Sequence, residues 1–205
     1  MKTLRIVLGL TCMFNAVLAV AGTQATGTNT VSPTMQISAT VLSAIRLTLA
    51  TGTTTAAAHC AVSAGGGDYQ MSFGSVDALG ISAGNCNLIA PTTPGTSAAI
   101  YWSDYSLTPI FTGQSTTNNT ITAKVTTNFA STSAIAVVRD SANSATVPSA
   151  ATDFTPVSTG TPDTIATNAV SGTAINRFIG VQVSPVNSVA IGAQTATVTF
   201  TLTVQ

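Results

Sequence analysis

The segment Thr195-Ala-Thr-Val-Thr-Phe-Thr-Leu-Thr-Val204 near the end of the chain decides the fold class. Its apolar residues and its threonines alternate one by one along the whole segment. A period of two, built from β-branched and aromatic residues, is typical of a strand buried on one face, and it does not fit a helix. We therefore predict a strand whose threonine face meets water. The opposite face needs a hydrophobic partner and consists of Ala196, Val198, Phe200, Leu202 and Val204.

Other segments repeat this pattern or are apolar throughout, and they predict further short strands. These segments are residues 34–41, 45–49, 70–76, 100–111, 120–129, 134–139, 153–157 and 174–184. We expect a break at Pro109, loops over 87–99 and most of 140–173, and a hairpin between 174–184 and the final strand. A helix over residues 41–49 is disfavoured, because Thr and Ile dominate there without a cap. The sequence thus predicts an all-β protein, an Ig-like or jelly-roll β-sandwich with an extended N-terminal strand.

The composition is low in charge: 45% of the residues are hydrophobic, 6% are charged and Glu is absent. An ordinary soluble domain carries about 25% charged residues. Charged side chains normally protect sheet edges against pairing with other chains, so their scarcity favours association through strands. The alternative is a secreted β-domain whose threonines simply solvate its faces.

The N-terminus has the pattern of a secretory signal peptide over residues 1–21. Lys2 and Arg5 precede an apolar stretch, and Ala19-Val-Ala21 forms an A-x-A cleavage site. The apolar stretch is too short and too interrupted for a membrane span, and the mature chain has no second such segment. We expect a secreted, extracellular or cell-surface protein with an extended, mobile N-terminal extension over 22–41 and a β-sandwich domain over 42–205.

The mature chain would carry four basic residues against six Asp, so it is faintly acidic. Nucleic-acid binding needs a dense basic patch and is not expected. Cys60 and Cys86 form an even pair in an exported chain, which predicts a disulfide. A metal site is disfavoured, because the single His59 does not complete a ligand set with them.

No catalytic residue set emerges, and we predict a protein that is not an enzyme and uses no cofactor. A serine-type triad needs a histidine base, and the only histidine adjoins a cysteine expected in the disulfide. Asp140, Asp153 and Asp163 are the residues that a cation would use, but their spacing matches no calcium loop. A sugar-binding platform of Tyr101, Trp102 and Tyr105 is a further candidate, although Trp102 should point away from Tyr101 along a strand. A core tryptophan is the alternative.

Residues 34–41 allow two interpretations. They form the first strand of their own domain, or they insert into a neighbouring subunit by β-strand addition. The low charge and the weakly protected edges favour the exchange between subunits.

Several features together resemble the secreted bacterial pilins, in particular the spore-coat-U and archaic chaperone–usher type. They are the exported leader, the alternating N-terminal segment, the cysteine pair around Phe73-Gly-Ser-Val76, and the two terminal segments Phe178-Ile-Gly-Val-Gln-Val183 and Ala196-Thr-Val-Thr-Phe-Thr-Leu202. The resemblance implies an incomplete Ig-like sandwich that polymerises when the N-terminal extension of one subunit fills the groove of the next.

The resemblance also implies roles for individual residues. The donor strand would present Val31, Met35, Ile37, Ala39 and Val41. The acceptor groove would be lined by Val198, Phe200, Leu202 and Val204. A periplasmic chaperone and an outer-membrane usher are the implied partners, besides further copies of the chain. The terminal Thr-Val-Gln205 lacks the aromatic residue that chaperone-dependent pilins usually carry there, and the first cysteine comes late in the chain. We expect a homopolymer, in a pilus-like fibre or surface layer; the alternative is a secreted carbohydrate-binding adhesin centred on Tyr101 to Tyr105.

Overall fold

A computed structural model describes residues 36–40, 43–54, 58–65, 68–82, 86–112, 117–185 and 192–204. The chain divides into two units, Met1–Thr40 and Val41–Gln205. The second unit is almost entirely β in its described part, apart from a 3₁₀ turn at Ala151–Asp153. Its strands are β1 (Ala44–Thr51), β2 (Val62–Gly65), β3 (Asp68–Met71), β4 (Asn87–Ile89), β5 (Ala99–Thr112), β6 (Thr120–Thr127), β7 (Ile135–Asp140), β8 (Phe154–Pro156), β9 (Asp163–Thr167), β10 (Ile175–Val183) and β11 (Thr197–Thr203).

The strands form two main sheets and a small hairpin, with every pairing antiparallel. One sheet has the order β1-β5-β10-β7-β8, and β4 joins β5 on the same side as β1. The other sheet has the order β11-β6-β9, and β2 pairs with β3. A core cluster takes buried residues from both sheets. The chain is therefore an all-β sandwich, as the alternating segments predict.

The period of two along β5 assigns its side chains to two different clusters. Tyr101, Tyr105 and Leu107 point into the space between the sheets, where they join Ile121 and Val125 of β6. All five are at most 5% exposed. Burial of this kind contributes roughly 1.5–3 kcal/mol for each large apolar side chain.

A second cluster covers the outer face of the larger sheet. Trp102 lies on this face, with the ring of Phe178 5.5 Å away and the ring of Phe154 6.1 Å away. Gly180 of β10 makes room for this packing, since a Cβ there would lie 2.5 Å from the Tyr101 carbonyl oxygen. The larger sheet is therefore buried on both faces along its central strands.

The outer face of the smaller sheet is lined with threonines. Thr201 of β11, Thr122 of β6 and Thr164 of β9 lie side by side in the register. One row along, Thr203, Thr120 and Thr167 do the same. The exposed threonine face of β11 is thus as predicted, and neighbouring strands extend it.

The predicted break at Pro109 is wrong, because β5 runs through it without interruption. The Pro109 carbonyl oxygen accepts a hydrogen bond from the Gly172 amide at 2.7 Å, on the side away from β1. A residue in a strand directs its amide nitrogen and carbonyl to the same side. The missing N–H of Pro109 would therefore have pointed away from β1, and the ladder between β1 and β5 loses no bond.

The predicted C-terminal hairpin is also wrong. β10 pairs with β5 along its whole length and with β7 over Ile179–Val183, so no full edge is left for β11. β11 belongs to the other sheet and pairs with β6. The connecting residues 184–196 are long enough to cross between the sheets.

The loops predicted over 87–99 and 140–173 contain β4 and β9, whereas the short strand predicted at 153–157 is present as β8. The predicted strand over 70–76 ends at Met71. The strands expected at 45–49, 120–129, 134–139 and 174–184 are present with small shifts at their ends.

Candidate interaction surface

Two edge strands lie beside one another along one side of the sandwich. Among the described residues, β1 pairs only with β5, and β11 pairs only with β6. β1 and β11 also contact each other across the two sheets, and β2 contacts β1 at its Thr51 end, where the Thr51 hydroxyl accepts the Val62 amide at 2.9 Å. We call this side, formed by Ala44–Thr51 and Thr197–Thr203, the open seam.

The hydrophobic core is incompletely covered along the open seam. On β1, Ile45 is 53% exposed, and Leu47 and Leu49 are only partly buried. On β11, the residues that pack against the core are likewise only partly buried; they are Val198, Phe200 and Leu202. The core-facing apolar residues of β5 and β6, the strands next to β1 and β11, are at most 5% exposed, so the core opens to solvent at this side.

The backbone of β1 adds hydrogen-bonding groups to this opening. Pro109 and Phe111 direct their backbone groups toward the turn at 169–172, away from β1. Directly opposed residues of an antiparallel pair either bond to each other or both face away. Since Leu47 lies opposite Pro109 and Ile45 opposite Phe111, their N–H and C=O groups point to the open seam.

The same argument applies to β11. The Val125 amide donates to the Ser158 carbonyl at 2.9 Å, on the side of β6 away from β11. Val125 lies opposite Val198, and alternate pairs along the ladder repeat its orientation. Val198, Phe200 and Leu202 therefore direct both their backbone groups and their apolar side chains to the open seam.

The opposite side of the sandwich is tied together by polar bonds. Arg139 of β7 lies 3.2 Å from the Asp163 carboxylate of β9, joining the two sheets. The segment after β8 also bridges them: the Val157 amide bonds to Val137 in one sheet, and the Ser158 carbonyl bonds to β6 in the other. Polar bonds thus join the two sheets on this side of the sandwich, whereas the open seam is not closed in this way.

Of the predicted donor residues, Val31, Met35 and Val41 lie outside the described part of the chain. Ile37 and Ala39 lie in residues 36–40, which form no strand and are exposed. Ile37 is 85% exposed. Residues 36–40 therefore form no strand in the single chain.

The predicted acceptor residues lie together on the open seam. Phe200 places its ring 5.4 Å from that of Tyr105, so it forms part of the wall of the opening. Val204 follows the end of β11 and is partly buried. The sequence did not assign the facing wall, Ile45, Leu47 and Leu49 on β1, to any site. Their alternation is visible in the sequence, but their position at a sheet edge is not.

The predicted sugar-binding platform is wrong. Tyr101, Trp102 and Tyr105 are 0%, 5% and 3% exposed. Tyr101 and Tyr105 belong to the core between the sheets, whereas Trp102 packs on the outer face. The three rings are inaccessible to a ligand, because β5 is a central strand and both of its faces are covered by other side chains.

Cys60 and Cys86 form the predicted disulfide, with their Cα atoms 5.4 Å apart. Beside it, the fully buried carboxylate of Asp104 organises the segment after β1. It accepts bonds from the Thr54 amide at 2.9 Å and hydroxyl at 2.6 Å, and His59 Nδ1 lies 2.5 Å away. Burial by itself would raise the pKa of Asp104, but the bonds from Thr54 and His59 lower it below its ordinary value. His59 is thus a partner of a structural carboxylate.

The three aspartates considered for a cation bind separate parts of the protein. Asp140 accepts bonds from the Phe178 and Ser144 amides, and burial raises its pKa. Asp153 accepts the Ser149 amide, and Asp163 pairs with Arg139. In the part of the chain that the structure describes, no three His, Cys, Asp or Glu side chains are grouped to hold a metal ion.

The described residues include no helix of the length and hydrophobicity that crossing a membrane requires. Comparisons of this chain with protein-family models, with curated proteins and with solved structures find no match.

Proposed function

We propose that the chain is an extracellular structural subunit that polymerises by β-strand complementation into a pilus-like fibre or surface layer. The observation that supports this function is the open seam. There, two neighbouring edge strands present half-exposed apolar side chains and backbone hydrogen-bonding groups to the same gap.

A segment of alternating apolar and polar residues would cover both the exposed apolar side chains and the backbone hydrogen-bonding groups of this gap. Its apolar side chains enter the core at every second position, and its backbone pairs with both edges. Residues 34–41 alternate in this way, and Ile37 is 85% exposed in the single chain. The occupant is therefore the N-terminal segment of a second copy, with Ile37 and Ala39 directed inward.

The energetic gain is sizeable for a single position. Burial of the Ile37 side chain contributes about 2 kcal/mol. An aspartate at position 37 would lose this gain and would add a buried, unpaired carboxylate, which costs several kcal/mol more. Ile37→Asp should therefore weaken complementation by at least about a thousandfold.

The test compares two variants of the mature full-length chain. Ile37→Asp should yield monomers, whereas Ser38→Asp, which adds the same charge at a position directed outward, should polymerise like the unmodified protein. Size-exclusion chromatography with light scattering and an unboiled detergent gel report the species. A high-mass ladder that survives Ile37→Asp, or an unmodified protein that stays monomeric, contradicts the proposal.

A further inference from the structure

Two turns at opposite ends of the sandwich expose apolar side chains. At the first end, where β5 begins at Ala99, the turn 77–82 exposes Leu79 by 47% and Ile81 by 79%. At the second end, where β5 finishes at Thr112, the turn 169–172 exposes Val170 by 56%. Ile45 lies at the same second end and is 53% exposed. We call these the first tip and the second tip.

The first tip is held rigidly by polar bonds. The Asp77 carboxylate accepts backbone amides from Leu79 at 2.7 Å, Ile81 at 3.2 Å and Ser82. The Tyr101 hydroxyl, anchored in the core, bonds to the carbonyls of Asp77 and Ser82. The turn thus presents its two apolar side chains in a fixed arrangement, which lowers the entropy cost of binding a partner.

The second tip is held in the same manner from a buried residue. Asn119 is fully buried and bonds through its amide group to both the carbonyl and the amide of Ala169. The Ser171 hydroxyl accepts the Phe111 amide and donates to the Phe111 carbonyl. Val170 therefore stands on a fixed turn between two anchored residues.

The charges near the tips are complementary. Burial alone would raise the pKa of Asp77, but the bonds from the turn lower it to about 2, so the first tip carries a negative charge at neutral pH. Arg46 is exposed on β1 next to Ile45, at the second tip. A second copy therefore has the right charge to meet the first tip end to end.

We propose that the first tip of one copy docks against the second tip of the next copy in the polymer. This inference rests on the proposed function. β1 begins at the second end, so a copy whose preceding segment fills a neighbour's seam brings its second end against that neighbour. Contact between two different surfaces of identical copies is heterologous and does not close on itself, as a fibre requires.

A crosslinking experiment on the mature full-length chain tests the contact. Ile81→Cys and Val170→Cys are combined in one chain, which is then oxidised during assembly. The first tip is anchored at Tyr101 and the second at Phe111, about 33 Å apart along β5, so the two positions cannot pair within one copy. A covalent ladder on a boiled, non-reducing gel is the expected result. The matched control combines Val170→Cys with Pro156→Cys, since Pro156 is exposed on β8, at the edge of the larger sheet opposite to β4 and the first tip.

A second variant, Leu79→Ser with Ile81→Ser, keeps the backbone bonds of the first tip and removes its apolar surface. We expect the mean filament length in electron micrographs to fall roughly tenfold. The ladder on unboiled gels, which reports strand complementation, should remain. Filaments of unchanged length, or equal crosslinking in the control pair, would overturn the end-to-end contact and leave strand complementation standing. If the unmodified protein formed no polymer at all, that result would instead contradict the proposed function.

Discussion

Replacement of Asp104 by Asn should destabilise the fold at neutral pH. It should also make the free energy of unfolding less sensitive to acid. Asp104 is fully buried, and its carboxylate is bonded by Thr54 and His59. An asparagine has nearly the same shape and can still accept the two bonds from Thr54. What it lacks is the negative charge that strengthens them.

The magnitude follows from the strength of the bonds. Hydrogen bonds to a charged group contribute about 1.5–3 kcal/mol each, and neutral ones about 1 kcal/mol. Since Asp104→Asn keeps the shape and most partners, we expect a loss of about 2 kcal/mol. For a chain of this size, that corresponds to a fall in melting temperature of about 4–8 °C. Asp104→Ala leaves all three donors without an acceptor and should lose roughly twice as much.

The effect should depend on pH with a definite sign. The folded pKa of Asp104 lies below its ordinary value of 3.8. Its contribution is therefore complete above that value and is lost as the pH falls through the lowered folded pKa. The difference in unfolding free energy between the native protein and Asp104→Asn should be complete at pH 6 and should shrink below pH of about 4.

Urea unfolding across this pH range, followed by tryptophan fluorescence, measures the difference. Asp77 and Asp153 also have lowered pKa values, but they are present in both proteins and cancel in the comparison. Asp140→Asn is the matched control: burial raises the pKa of Asp140, so its contribution should change with pH in the opposite direction. An Asp104→Asn difference that stays constant from pH 6 to pH 3 would refute the assignment of an ionised, hydrogen-bonded carboxylate.

Three further substitutions test the packing. Removal of the disulfide by Cys60→Ala with Cys86→Ala should cost about 3.5 kcal/mol, given its separation of 26 residues; an unchanged denaturation midpoint contradicts this. Gly180→Ala should prevent or severely weaken folding, because the new Cβ would lie 2.5 Å from a carbonyl oxygen, whereas Gly160→Ala, whose new Cβ would only make an ordinary contact with the Ser158 hydroxyl oxygen at 3.8 Å, should leave the melting temperature unchanged. Phe178→Ala should lower stability by about 3–5 kcal/mol in the same assay, because it opens a cavity in the cluster around Trp102; a loss below about 1 kcal/mol would show that this cluster contributes little.

The strands themselves could be predicted because their signal is local. In the final strand each threonine is followed by an apolar residue, and this alternation fixes which face is buried without knowledge of its neighbours. The partner of that strand could not be predicted. The same alternation fits a hairpin with β10 and the observed pairing with β6 equally well, and only the occupation of both edges of β10 decides between them.

The candidate site was predicted in part for the same reason. Val198, Phe200 and Leu202 could be identified as an apolar face, but their facing wall on β1 depends on which strands end up at the sheet edges. Trp102 illustrates the opposite failure. Its side chain lies on the outer face of a sheet, which is often exposed, and it is buried because Phe154 and Phe178, from distant parts of the chain, pack beside it.

The threonine rows on the outer face of the smaller sheet have a consequence for any coat built from this chain. Hydroxyl groups neither gain nor lose protons over the range of natural waters, so their hydration shell does not change with acidity. Dissolved ions screen charges, and the only charged side chain that β6 and β11 place on this face is Lys124, opposite Thr199. An array of these subunits would therefore keep the same wetting and the same weak adhesion to charged matter in fresh, saline or acidic surroundings.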